Sequence, residues 1–184
     1  MVIACLGWGS LVWDPKDLPI RRPWFVDGPL LPIEFARESD DKRITLVITP
    51  KTALVRSLWA LCSIDDLNQA RILLVERESP KAKDIKQVTG AWNGEKPAEP
   101  NCARIADWAS QRGIDAVVWT SLPPKVDKAD RTPSLQEVLQ HLENLPYEKQ
   151  RHAERYIRLA PRQIDTEYRR AIEREFGWTC LSEI

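Results

Sequence analysis

Ala4-Cys5-Leu6-Gly7-Trp8-Gly9-Ser10-Leu11-Val12-Trp13-Asp14-Pro15 carries an apolar strand straight into a turn bracketed by two glycines. Residues 2–6 are apolar and β-prone, so the pattern predicts a buried first strand. Gly7 and Gly9 permit backbone angles and close approaches that a Cβ forbids, and Ser10 sets a hydroxyl beside freed amides. Backbone N–H groups turned into a concavity suit a carboxylate, which makes the turn around Gly7, Gly9 and Ser10 a candidate ligand site. A dinucleotide fingerprint does not fit. Val12 stands where its third glycine belongs, and Pro15 interrupts the helix that should follow.

Beyond this loop, residues 30–35, 43–49 and 56–62 read as strands, punctuated by Pro50 and the polar run 38–42. Together with the first strand they predict a mixed sheet or barrel. Ser63 is the expected N-cap of a helix running to Glu78, with Asp65 and Asp66 in its first turn and Pro80 helping to end it. Residues 80–101 hold Gly90, Gly94, Pro97 and Pro100 around a short strand at 87–92. A helix over 102–111 closed by Gly113 and a strand over 114–122 follow. After Lys125 the chain turns charged and helical, with Pro146 and Pro161 dividing two or three helices over 134–176. The expected organisation is a domain over 1–124 with a helical C-terminal extension over 125–184.

Lys plus Arg number 27, as do Asp plus Glu, so no global field favours nucleic acid or an anionic membrane. The arginines between 151 and 174 alternate with carboxylates, which reads as solvated helix faces. No stretch approaches the roughly 20 apolar residues of a spanning helix, and the first residues lack the pattern of a secretory signal. A cytoplasmic protein with a small-molecule or protein partner is expected, and homo-oligomer formation stays open. Cys5, Cys62, Cys102 and Cys180 form no CxxC pair, and His141 and His152 stand alone; no metal site is expected.

At about 100° per residue, the helix ending at Glu78 puts Leu67, Ala70, Leu74 and Val75 on one side, with Glu78 near the centre of that stripe and Glu76 opposite. A carboxylate at the end of an inward stripe loses hydration, which suits a proton acceptor. Arg71 projects the same way, so a structural ion pair with Glu78 is the alternative.

The opening string resembles the Phe-Gly-Tyr-Gly-Ser-Leu-Ile-Trp-x-Pro start of the γ-glutamylcyclotransferase superfamily, nearest its glutathione-degrading, cation-transport-regulator branch. Leu74-Val75-Glu76-Arg77-Glu78 is similar to the family string that carries its essential glutamate. Trp8 stands where the family has tyrosine, and Ser79 where glycine commonly follows the glutamate. The resemblance implies an α+β fold built on a small mixed β-barrel with flanking helices. It also implies a lyase that cyclises a γ-glutamyl group to 5-oxoproline and releases the amine, without cofactor. Glu78 would be catalytic, and Gly7, Trp8, Gly9, Ser10 and Leu11 would hold the substrate. The alternative is a catalytically inactive scaffold of this type that binds small molecules or proteins.

Overall fold

The computed structural model describes residues 1–50, 52–79, 84–95 and 100–181. Along the chain run β1 (Ile3–Gly7), β2 (Ile20–Phe25), β3 (Leu30–Glu38), β4 (Ile44–Ile48), β5 (Leu54–Arg56), β6 (Leu58–Cys62), α1 (Leu67–Glu78), β7 (Thr89–Trp92), α2 (Pro100–Ser110), β8 (Ala116–Thr120), α3 (Leu135–Glu143), α4 (Tyr147–Leu159) and α5 (Glu167–Phe176). The class is α+β. Two compact units share these elements.

The first unit comprises Met1–Gly7, Asp14–Leu31 and Arg56–Leu122, and holds a five-stranded sheet in the order β2-β6-β1-β8-β7. Strand β1 lies in its middle, antiparallel to β6 and parallel to β8. All five of its residues are buried, which explains an apolar run without polar alternation. Full burial of Ile3 and Leu6 contributes roughly 1.5–3 kcal/mol each. Helices α1 and α2 pack on β7 and β8.

The second unit comprises Trp8–Trp13, Pro32–Val55 and Pro123–Ile184, and holds a three-stranded sheet in the order β4-β3-β5 with α3, α4 and α5. Helix α4 packs on β4, and α3 on α4 and α5. A capping box between Ser134 and Glu137 starts α3, Thr166 caps α5, and Gly177 closes α5 at φ 71°. Arg169 is 2% exposed, and its guanidinium donates to the carbonyls of Ala160 (2.9 Å), Pro161 (2.7 Å) and Ile164 (3.1 Å). Those acceptors lie where α4 ends and in the turn that follows it, beyond the reach of the helix's own amides. Glu34, also 2% exposed, accepts from the Thr166 hydroxyl and from the amides of Phe35 and Tyr168.

The strands do not close into the expected barrel. Among the described residues they form two open sheets, because the stretch predicted as one strand over 56–62 breaks at Ser57. There the Ser57 amide donates to the Pro29 carbonyl (3.1 Å), and its own carbonyl accepts from Gly28 (3.1 Å). A Cβ on Gly28 would lie 2.5 Å from that carbonyl oxygen, so only glycine allows the pairing. The ladder is thereby cut between β5 and β6, which serve different sheets. Strand β2 has no counterpart in the sequence reading; Pro23 and two arginines mask it, and as an edge strand it tolerates all three. Helix α1 starts at Asp66 rather than Ser63, since the Asp66 carboxylate accepts from the amides of Asn68 (2.8 Å) and Gln69 (3.1 Å). The chain returns to the second unit between Leu122 and Pro123, beside the expected boundary at 124. That unit also takes in Trp8–Trp13 and Pro32–Val55. Pro80 and Pro97 lie outside the described residues. No helix among the described residues is long and apolar enough to cross a membrane.

Burial pushes the Glu34 carboxyl above the usual glutamate value, against the pull of its three hydrogen bonds. The folded chain therefore holds this proton more tightly than the unfolded chain. The resulting stability is fully present below about pH 4.3, the unfolded value, and is lost as pH rises through the folded value. Denaturant titrations from pH 4 to 8 should show Glu34→Gln less stable than the natural chain but with a flatter pH dependence. An unchanged slope would disprove this assignment.

Candidate functional site

Gly7 and Glu78 belong to the first unit, whereas Trp8, Gly9, Ser10 and Leu11 belong to the second. Gly7 ends β1, is buried, and faces Leu58 of β6 in the register.

In the second unit the loop is a tight turn, with the Val12 amide donating to the Gly9 carbonyl at 2.9 Å. Trp8 and Leu11 are buried, and the Trp8 indole N–H donates to the Leu46 carbonyl at 3.2 Å. Gly9 is not among the glycines with positive φ, which are Gly94, Gly113 and Gly177 among the described residues. Its role is close approach. A Cβ there would meet the Tyr156 hydroxyl oxygen at 2.4 Å and Cζ at 3.5 Å. Tyr156 also accepts from the Leu46 amide at 3.3 Å, lies edge-on to Trp13, and carries the Arg43 guanidinium 5.3 Å above its ring centroid. The space beside Gly9 thus holds a phenol, a partner the sequence reading does not contain.

In the first unit α1 follows the expected wheel: Ala70, Leu74 and Val75 are buried and Glu76 is exposed. Glu78 sits on the buried side with its side chain 16% exposed. Arg71 does not pair with it; its Nε donates to the Thr89 hydroxyl at 3.2 Å. The cation beside Glu78 is Arg77, whose Nη1 donates to Oε1 at 2.6 Å. Nη2 of Arg77 donates to the Asp14 carbonyl at 2.7 Å, and its side chain is 7% exposed. Thr120, ending β8, donates its hydroxyl to Glu78 Oε1 at 3.2 Å. Neither Arg77 nor Thr120 was legible as a site residue. Arg77 falls beside Ala70 at the edge of the apolar stripe and carries no site signal of its own, and Thr120 reaches Glu78 across 42 positions of sequence.

Cys5 is fully buried, and desolvation pushes its thiol well up, with Cys62 and Glu78 adding to the rise. Burial takes Cys62 to about 12. Both remain thiols at neutral pH, so neither is an activated nucleophile. Among the cations of the second unit, Arg37 donates to the Pro123 carbonyl (2.6 Å), and Arg43 pairs with Asp41 (2.6 Å). His141 bonds to the Lys42 carbonyl (2.7 Å). Trp92 and Trp119 are buried, the latter against Gly90. No family model, curated protein or solved structure matches the chain.

The phenol and Gly9 make a paired constraint. Gly9→Ala should destabilise the chain by roughly 1–3 kcal/mol through overpacking, and less in a Tyr156→Phe background, where only the ring carbon at ordinary contact distance remains. Chemical denaturation of the four-member cycle measures the coupling. Additive effects would contradict the contact.

Proposed function

We propose that this chain is a γ-glutamylcyclotransferase-like lyase on a cyclotransferase-like variant of its α+β fold, acting on a small γ-glutamyl amide or peptide. The reading draws on the resemblance of residues 4–15 and 74–78, and the observation that carries it is the setting of Glu78. This carboxylate ends the apolar stripe of α1 and is largely withdrawn from water. A recessed carboxylate with a fixed geometry suits proton abstraction better than one free in solvent.

In the proposed reaction Glu78 accepts a proton from the α-ammonium of the glutamyl group. The freed amine attacks the γ-carbonyl carbon, a C–N bond forms and closes the five-membered ring, and the original amide C–N bond breaks. The ring nitrogen sheds its second proton as the lactam forms, and both protons, the one held by Glu78 included, leave with the departing amine as its ammonium, so no net proton or electron is consumed. Ring closure is intramolecular, which leaves the protein to hold a folded conformer and to relay protons from one nitrogen to the other. The resemblance gives recognition of the glutamyl carboxylate and amine to Gly7, Trp8, Gly9, Ser10 and Leu11.

A second reading, a scaffold that binds without turnover, draws on the second unit. There Trp8 and Leu11 are buried and the Tyr156 phenol stands against Gly9.

Release of 5-oxoproline from glutathione and a panel of γ-glutamyl dipeptides should be measurable in the natural chain. In Glu78→Gln it should fall by about 10²–10⁴-fold, the usual worth of a positioned base. Absence of product across the panel, or equal turnover in the variant, would sink the enzymatic reading. Calorimetric binding of the same panel without product would favour the second.

A further inference from the structure

Both hydrogen bonds to Glu78 end on one oxygen. Arg77 Nη1 at 2.6 Å and the Thr120 hydroxyl at 3.2 Å each donate to Oε1, and neither touches Oε2. From this asymmetry we propose that Arg77 and Thr120 are positioning residues that anchor Oε1 so that Oε2 is the oxygen that exchanges the proton. The inference rests on the reading of Glu78 as the proton acceptor.

The two supports come from different elements and are themselves constrained. Arg77 belongs to the last turn of α1, and its second nitrogen is tied to the Asp14 carbonyl at 2.7 Å, so the guanidinium cannot swing away without losing that bond. Thr120 ends β8, where the ladder pairs it with Thr89 of β7, and α1 packs on β8. A glutamate side chain has three rotatable bonds, and its end group would otherwise sample several orientations. Two donors converging on one oxygen leave it little freedom beyond a swivel about that oxygen. The positive charge on Arg77 also offsets the hydration the carboxylate loses in its recess. A purely structural ion pair at a helix end would need neither the hydroxyl of Thr120 nor its position.

Thr120→Val removes the hydroxyl at nearly constant volume, Thr120→Ser retains it, and Arg77→Met removes the cation while retaining most of the length. Steady-state kinetics of 5-oxoproline release should show kcat lowered about tenfold in Thr120→Val and about a hundredfold in Arg77→Met, each with KM within roughly twofold of the natural chain. Thr120→Ser should recover kcat to within roughly twofold. If Arg77→Met fails to fold, the threonine pair decides alone. Thr120→Val and Thr120→Ser behaving alike, or a change in KM with kcat intact, overturns the positioning role even when Glu78→Gln is inactive. A natural chain that releases no 5-oxoproline overturns the enzymatic reading and this inference with it, so the two failures are told apart.

Discussion

Strand β1 is hydrogen-bonded along both edges and buried on both faces, and the first unit is arranged around that condition. A strand so placed cannot carry a polar side chain without a partner, which is why residues 3–6 are Ile, Ala, Cys and Leu. The same condition fixes what lies beside it. Gly7 must end the strand opposite Leu58, and β8 must arrive parallel, so the chain has to travel through α1, β7 and α2 before it can supply that neighbour. Thr120 and Glu78 meet because that detour returns β8 to the sheet against which α1 packs.

The second unit handles buried charge through helix ends. The Arg169 guanidinium saturates carbonyls where α4 stops, and the Glu34 carboxylate gathers the hydroxyl and an amide where α5 starts. Each ion meets backbone groups that lack intrahelical partners, so one arrangement meets the needs of both. Neither residue resembles a site in chemistry: their polar atoms are consumed by the fold. Glu78 differs in that one of its oxygens is left out of both bonds.

What could be read from the sequence was local. The apolar stripe of α1, the solvent side of Glu76 and the breaks at Pro146 and Pro161 all follow from helical periodicity and from proline, and the structure carries each of them. Strand β2 was illegible because proline and paired arginines are tolerated at an edge that alternation rules do not anticipate. The break at Ser57 depends on a glycine 29 positions upstream of it, and no window around Ser57 contains that information. Tyr156 is a similar case: it sits in a helix rich in Arg and Glu, and its bond to Leu46 spans 110 positions. The candidate loop reads as a ligand nest from sequence because glycine permits close approach, but sequence alone does not say that a phenol from the same chain makes that approach to Gly9.

The two units are interleaved, and this bears on how the molecule comes into being. The chain passes from one to the other after Gly7, Trp13, Leu31, Val55 and Leu122. A ribosome therefore delivers the strands of the second sheet well before the helices that cover them, and those apolar faces must wait in the exit vestibule or on a chaperone until the last third emerges. Cutting the gene at codon 124 would not yield a minimal domain; it would strand Ile33, Phe35 and Ile44 without α4 and α5, leaving an adhesive half-product.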